Sequence, residues 1–282
     1  MRSIIAAVKD TKKKVNQDHC TVIEDQVKAV IVADGIGSQE YAEEGSKEVV
    51  KIAEKLLRQS LSDNIDMSKL FSKIQEELNL YVSNNDIPAK QQTFGTTCII
   101  AIELPDKFIV GYLGNGAIFH IRGNVTSFNK NRYYLPWVCL NYLNPHTEPL
   151  QGEEALYKYF GFNNTKQQIT PSIIEIKKDN ETYGDILIIC TDGVYSYDNI
   201  EVTKDGDQSI WIEGTQSLEL LINEVKTFLT TGDLHNEGAQ KTLKKYLIKL
   251  RELNLMSDDC SLGIICTEKA LEYQNGLKDG NN

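Results

Sequence analysis

Residues 29–37 read Ala-Val-Ile-Val-Ala-Asp-Gly-Ile-Gly, and this stretch decides the interpretation of the whole chain. Five apolar residues in a row, three of them β-branched, are typical of a strand that is buried on both faces. A carboxylate, Asp34, ends the run, and two glycines then break it. Apolar residues at helical spacing follow over residues 39–59. The sequence therefore predicts a rigid strand that ends in an acidic side chain and leads directly into a helix.

Three more aspartates stand at the ends of apolar runs. Asp192 ends one run, Asp258 directly precedes another, and Asp18 precedes the strand that comes before residue 29. Carboxylates that converge at one sheet edge repel one another unless a cation lies between them, and hard oxygen ligands favour Mg²⁺ or Mn²⁺. Each position alone also fits a plainer interpretation, because Asp-Gly after a strand is a common turn and Asp-Asp is commonly a solvated loop.

The other periodic segments predict the rest of the fold. Further strands are expected at residues 96–103, 107–113, 117–122, 173–177, 185–191 and 261–266. Helices are expected at residues 39–59, 67–82, 152–160, 217–229 and 239–250. Because the long helices arrive in pairs rather than in strict strand-helix alternation, we expect antiparallel sheets with outer helix layers, an α+β class. The chain shows no linker and no internal repeat, which indicates one domain.

The pair Asn115-Gly116 separates two of these strands. Asn-Gly between β-branched runs is a strong signal for a tight hairpin, so the strands from residue 96 to residue 122 are predicted to form an antiparallel meander. Under this prediction Asn115 is a turn residue and needs no other role.

Composition narrows the class of protein. The chain has 282 residues, of which 41% are hydrophobic, and its 30 Lys and Arg against 40 Asp and Glu give a formal net charge of −10. This acidity argues against a general binder of nucleic acid or anionic membranes. The sequence holds no apolar stretch of the ~18–20 residues that a membrane span requires. The six cysteines form no C-x-x-C pair, which favours a reduced, cytoplasmic protein over a zinc or disulfide protein.

Six short motifs occur in an order that resembles a known family. They are N-Q-D at 16–18, V-A-D-G-I-G at 32–37, F-G-T-T at 94–97, L-G-N-G at 113–116, I-C-T-D-G-V at 189–194 and S-D-D-C-S-L at 257–262. Each motif is weak by itself. Together, in their strand context, they resemble the metal-dependent Ser/Thr protein phosphatases of the protein phosphatase 2C-like group, and its bacterial members above all. The resemblance spans residues 3–266.

The resemblance implies a four-layer α-β-β-α sandwich, in which two packed antiparallel sheets are flanked by helices. A catalytic domain would occupy residues 1–266, and residues 267–282 would be a polar, frayed tail. The implied reaction is hydrolysis of phosphoserine or phosphothreonine by a hydroxide held between two Mn²⁺ or Mg²⁺ ions. The implied partner is a phosphorylated protein, with no nucleic acid and no membrane, and we expect a monomer.

The same resemblance assigns roles to five positions. Asp34 matches the carboxylate that bridges both ions, and the Gly35 carbonyl matches a ligand of one of them. Asp192 and Asp258 match the carboxylates that complete the other site. Asp18 matches a residue that holds metal-bound water. These assignments come from the motifs and make a set of expectations for the folded chain.

The chain departs from the family pattern at four positions. Lys13 is the nearest match to a phosphate-binding arginine and offers a point charge rather than a bidentate fork. Gln17 stands where an acidic residue is usual, which removes one charge of support around the ions. Asn115 replaces an aspartate that would hold a third ion, so a third ion is in doubt. Ile36 replaces a histidine that serves as a general acid in some members.

Two alternatives to an active protein phosphatase stay open at this stage. The departures would also fit a phosphatase-like binding module with little or no turnover. The aromatic segment 133–143 would fit either a substrate-recognition flap or a covering loop, and as a pocket wall it would suit a phosphatase of small phosphate esters. The histidines form no evident catalytic triad, and for His19 a hydrogen-bonding role is the better expectation.

Overall fold

The computed structural model describes residues 2–60, 65–85, 87, 94–123, 137–150, 153–194, 199–205, 208–213, 220–221, 236–256 and 258–271. Two five-stranded antiparallel sheets lie at its centre. In sheet I the strand order is β1 (Arg2–Val8), β16 (Cys260–Cys266), β13 (Asp185–Cys190), β7 (Ala117–Gly123) and β8 (Trp137–Asn141). In sheet II it is β12 (Ser172–Lys177), β6 (Lys107–Leu113), β5 (Cys98–Glu103), β3 (Lys28–Asp34) and β2 (Asp18–Glu24).

Shorter strand pairs and three helices complete the described elements. The pairs are β4 (Gly95–Thr96) with β11 (Phe160–Gly161), β9 (Thr147–Leu150) with β10 (Glu153–Leu156), and β14 (Asn199–Asp205) with β15 (Gln208–Glu213). The helices are α1 (Ala42–Arg58), α2 (Met67–Asn84) and α3 (Asn236–Glu252). Asp66 caps α2, since its side chain accepts the Lys69 N–H at 3.0 Å.

The packing of strand β3 explains why residues 29–33 are all apolar. Val30 and Val32 belong to the core between the two sheets, while Ala29, Ile31 and Ala33 belong to the core under α1 and α2. A third core lies between sheet I and α3. Since a strand covered on both faces has no wet side, its residues cannot alternate with polar ones. The layers therefore run helix, sheet, sheet, helix, which confirms the predicted four-layer sandwich.

The predicted meander is half right. β5 and β6 pair as an antiparallel hairpin, but β6 belongs to sheet II and β7 to sheet I, so the hairpin predicted at Asn115-Gly116 is wrong. The chain crosses between the sheets there, in a corner formed by residues 114–116. Gly114 and Gly116 have φ angles of 95° and 120°, which suit glycine. An Asn-Gly pair predicts a tight turn, but it does not predict to which sheet the following strand belongs.

The predicted helix at residues 152–160 is also wrong. Residues Glu153–Leu156 form β10 and pair with β9, and Phe160 starts β11. Phe160 is fully buried and stacks on Phe71 with ring centroids 5.3 Å apart. Burial of that ring against α2 and strand pairing outweigh the weak local helix propensity of Glu-Glu-Ala-Leu.

Several predictions fall partly or wholly outside the described residues. Of the helix predicted at residues 217–229, only residues 220–221 are described, and they are helical. Residues 133–136 of the aromatic segment lie outside, while residues 137–141 form β8. Thr267 and Ala270 are buried against sheet I, and residues 272–282 lie outside the description, so the domain boundary and tail stay predictions. None of the helices in the described ranges is long and apolar enough to cross a membrane.

Candidate metal-dependent active site

The four predicted aspartates meet at one end of the two sheets. Asp18 and Asp34 face each other across the β2–β3 pair, at the first residue of one strand and the last of the other. Asp192 follows β13 in a single 3₁₀ turn, and Asp258 lies just before β16. β13 and β16 are neighbours in sheet I, so the site is built from two strand ends of each sheet.

Asp18 is the most deeply buried member, with 1% of its surface exposed. Its Oδ2 accepts a hydrogen bond from the Thr191 hydroxyl at 2.7 Å, which links sheet II to the end of β13. Burial raises the pKa of Asp18 to about 7, although the hydrogen bond from Thr191 opposes that rise. A carboxylate placed so deep is costly to ionise unless a positive charge lies nearby.

The F-G-T-T motif holds the backbone of Asp34. The Asp34 carbonyl accepts hydrogen bonds from the Thr97 N–H at 2.8 Å and the Thr96 hydroxyl at 2.7 Å, and the Asp34 N–H donates to the Thr97 hydroxyl at 3.1 Å. Burial raises the pKa of Asp34, and repulsion from the carboxylates of Asp18 and Asp192 raises it further. The motif therefore fixes the position of an acid that its surroundings disfavour in the charged form.

The corner at residues 114–116 reaches Asp192. The Asn115 side-chain amide donates to Asp192 Oδ2 at 2.7 Å, so Asn115 is more than a turn residue and that part of the prediction is wrong. Burial raises the pKa of Asp192, as does repulsion from Asp258, while the Asn115 hydrogen bond opposes both. Gly193 is required beside it, because a Cβ there would lie 2.0 Å from the Asp259 carbonyl oxygen.

Lys13 lies against the last aspartates of the site. Its Nζ forms an ion pair with Asp258 Oδ1 and lies 3.6 Å from Asp259 Oδ2. Although burial opposes it, the hydrogen bond and charge of Asp258 raise the pKa of Lys13, which keeps it protonated. The structure thus brings Lys13 to the carboxylates, and its role in phosphate binding stays a prediction.

Asp259 is a residue of the site that sequence reasoning missed. It is 1% exposed, its Oδ1 accepts the Asp10 N–H at 2.6 Å, and its Oδ2 accepts the Gln17 N–H at 2.7 Å. It therefore pins both ends of the loop that carries Lys13. The available signal was a second aspartate directly before a wholly apolar strand, a place where a charged side chain needs a partner.

Gln17 and His19 support the site through Ser46 of α1. The Gln17 carbonyl accepts hydrogen bonds from the Gly35 N–H at 3.0 Å and from the Ser46 hydroxyl at 2.5 Å. His19 Nδ1 lies 2.9 Å from the same hydroxyl, in the hydrogen-bonding role that the sequence favoured. It is the backbone of Gln17 that makes these contacts, so they do not depend on an acidic side chain at this position.

The donor set at this end of the sheets fits a hard divalent cation. One buried oxygen each of Asp18, Asp34 and Asp192 has no hydrogen-bond partner within the described part of the chain. Buried carboxylate oxygens without partners and with raised pKa values are stabilised when a cation neutralises them. No three acidic, His or Cys side chains in the described ranges are grouped so as to enclose an ion by themselves. Ligation would therefore need further oxygen donors besides these side chains, such as the Gly35 carbonyl and water.

The structure is a four-layer sandwich with four aspartates grouped at one end of its two sheets. A family model described as protein phosphatase 2C matches residues 9–248. The chain therefore belongs to the protein phosphatase 2C family and is a metal-dependent Ser/Thr protein phosphatase. Curated protein sequences give no match to the chain.

Solved structures agree with this assignment at the level of the fold. The chain is similar to a bacterial serine phosphatase, with 15% identity, a TM-score of 0.62 and coverage of 95% of this chain and 98% of that one. It is also similar to the Ser/Thr phosphatase Stp1 from Staphylococcus aureus, with 15% identity, a TM-score of 0.61 and 94% coverage of each chain. The chain is also similar to the PPM Ser-Thr phosphatase MsPP from Mycobacterium smegmatis, with 16% identity, a TM-score of 0.60 and coverage of 94% of this chain and 97% of that one.

Proposed function

We propose that this chain removes phosphate from phosphoserine or phosphothreonine in proteins, using two Mn²⁺ or Mg²⁺ ions. Asp34, the Gly35 carbonyl, Asp192 and Asp258 would hold the ions, and Asp18 would hold water bound to them. The observation that carries this proposal is that Asp18, Asp34 and Asp192, at one end of the sheets, each have a buried oxygen without a hydrogen-bond partner among the described residues. Family membership supplies the reaction class, and the convergence of these side chains supports the assignment of roles.

The residues around the ions have separate tasks. Bound ions would neutralise the phosphoryl oxygens and activate water for attack on phosphorus. Thr191 and Asn115 orient Asp18 and Asp192 through hydrogen bonds at 2.7 Å each. Ile36 offers no acid next to Gly35, so the leaving serine or threonine oxygen would take its proton from solvent.

Lys13 would supply a point charge to the phosphate. Asp258 and Asp259 keep its ammonium group at the site and protonated. A lysine attracts a phosphate oxygen without the two-pronged geometry of arginine, so it would add affinity rather than orientation.

We assign two ions rather than three because of Asn115. It stands where the family's aspartate would hold a third ion, and its neutral amide, whose nitrogen donates to Asp192 Oδ2, brings no negative charge to a further cation. The protein would act as a cytoplasmic monomer, and the free thiols of Cys20, Cys98, Cys190, Cys260 and Cys266 support a reducing compartment.

A metal-titrated phosphatase assay tests the proposal. Wild type should hydrolyse a phosphopeptide only with Mn²⁺ or Mg²⁺, and Asp34→Asn should lower kcat/KM by about 100-fold or more, because one ligand of both ions changes. Asp185→Asn is the matched control, since Asp185 is a buried aspartate at the other end of β13 and should keep full activity per folded molecule. Tight Mn²⁺ binding by wild type without turnover on any phosphopeptide would contradict the proposal.

A further inference from the structure

A buried side chain, that of His146, holds the start of the corner at residues 114–116. The Gly114 N–H donates to His146 Nδ1 at 3.2 Å, and the His146 N–H donates back to the Gly114 carbonyl at 3.0 Å. His146 is 3% exposed, so no water competes well for these bonds. The reciprocal pair ties the segment after β8 to the point where the chain crosses between the sheets.

The histidine ring itself has little freedom. Its Nδ1 accepts from Gly114, so Nε2 carries the proton and donates to the Ser172 hydroxyl at 2.8 Å. The ring stacks on Tyr112 at 4.9 Å between centroids and meets the edge of Tyr157 at 5.7 Å. Burial lowers the pKa of His146 to about 4, and Lys158 adds to this, so the ring stays neutral at physiological pH.

The corner has no room to move towards either sheet. A Cβ at Gly114 would lie 2.5 Å from the Thr97 side chain, and a Cβ at Gly116 would lie 2.6 Å from the Cys190 carbonyl oxygen. Thr97 is the residue whose hydroxyl accepts the Asp34 N–H, and Cys190 ends β13 two residues before Asp192. The corner is therefore wedged between the supports of two aspartates of the site.

We propose that His146 is a positioning residue for Asp192, acting through the Gly114–Gly116 corner and the Asn115 amide. His146 fixes the corner, the corner fixes Asn115, and Asn115 fixes Asp192 Oδ2 by its 2.7 Å hydrogen bond. Such support normally sets the orientation of a metal-binding carboxylate, and its loss costs about 10–100-fold in metal affinity. The inference rests on the proposed function, since it takes Asp192 to be a cation ligand.

A double-mutant cycle measured with Mn²⁺ alone, by isothermal titration calorimetry, tests this chain of contacts. His146→Ala should weaken Mn²⁺ binding about tenfold, and Asn115→Ala should do the same. Because both act on the same carboxylate in series, the double variant should be no more than about twofold weaker than either single one. A structural effect independent of Asn115 would instead multiply the two losses, and that result would overturn the inference.

Two further variants separate positioning from folding. His146→Asn keeps a hydrogen-bond acceptor near the place of Nδ1 and should bind Mn²⁺ with an affinity close to that of wild type. This variant can be measured even if His146→Ala does not fold. His120→Ala removes another buried histidine, which bonds Asp185 at the far end of β13, and should leave Mn²⁺ affinity unchanged. Wild-type affinity in His146→Ala would refute the positioning role alone, whereas a wild type that binds no Mn²⁺ would refute the proposed function as well.

Discussion

One aspartate starts strand β13 and another follows its end, and the two have opposite surroundings. At its start, Asp185 accepts hydrogen bonds from His120 at 2.8 Å, Arg122 at 2.7 Å and the Asp179 N–H at 2.6 Å. Burial alone would raise its pKa, but the bonds from His120 and Arg122 lower it.

Just past the other end of β13, Asp192 has one buried oxygen without a partner in the described residues, and its pKa is raised. Burial is therefore not what distinguishes a functional carboxylate in this fold. The distinction lies in whether the fold supplies the compensating charge. Asp185 receives it from Arg122 and is a structural anchor, whereas the Asp18, Asp34 and Asp192 group is left to be neutralised by something the protein binds.

The strongest test of this contrast is the pH dependence of the free energy of unfolding of the metal-free protein. The pKa of Asp18 is about 7 when folded against an ordinary value of 3.8, so the fold holds a proton that the unfolded chain releases. This contribution to stability is complete below about pH 4 and is lost as pH rises to 7. In EDTA, urea unfolding should give a free energy about 3 kcal/mol higher at pH 5 than at pH 8. Saturating Mn²⁺ should remove or reverse the trend, and a metal-free protein that gains stability towards pH 8 would contradict it.

At the two ends of β13, replacing an aspartate by asparagine should change the free energy of unfolding in opposite directions. Asp185→Asn should lower the free energy of unfolding by about 2 kcal/mol, because an amide NH₂ would face the donors of His120 and Arg122. Asp192→Asn should instead stabilise the protein in EDTA, since it removes one of several carboxylates that repel one another. Chemical denaturation of both variants in EDTA gives the comparison. Equal destabilisation by the two substitutions would show that the end with Asp192 is an ordinary satisfied site.

The smallest expected effect is a change in KM on replacing Lys13, the cationic side chain that lies against the aspartates of the site. Lys13→Met should raise KM for a phosphopeptide about tenfold, equivalent to about 1.4 kcal/mol, with a smaller change in kcat. Lys12→Met is the matched control, because Lys12 is exposed and its backbone N–H, not its side chain, bonds Asp10. Steady-state kinetics at fixed Mn²⁺ measures both variants, and an unchanged KM for Lys13→Met would remove Lys13 from substrate binding.

The sequence is informative where local pattern and burial agree. The apolar runs before Asp34 and Asp192 and after Asp258 predicted rigid strand ends, and all three strands form there. What the sequence could not show were choices made between distant segments. The turn at Asn115 is tight, as predicted, but whether it joins neighbours in one sheet or crosses to another depends on the packing of both sheets.

Asp259 and His146 illustrate the same limit. The role of each depends on a partner far along the chain, namely the Gln17 N–H for Asp259 and the Gly114 N–H for His146. The helix predicted at residues 152–160 was wrong for a related reason. Pairing with β9 and burial of Phe160 outweigh the weak helix propensity of that segment.

The position of β16 has a consequence for synthesis. It is the last strand along the described chain, yet it lies inside sheet I, between β1 and β13, and it brings Asp258 and Asp259 with it. Until the ribosome has released it, β1 and β13 lack their shared neighbour, and the loop at residues 10–17 lacks its two hydrogen bonds to Asp259. A nascent chain can therefore not complete this group of aspartates before β16 has left the ribosome. Such late, long-range closure also favours slow folding.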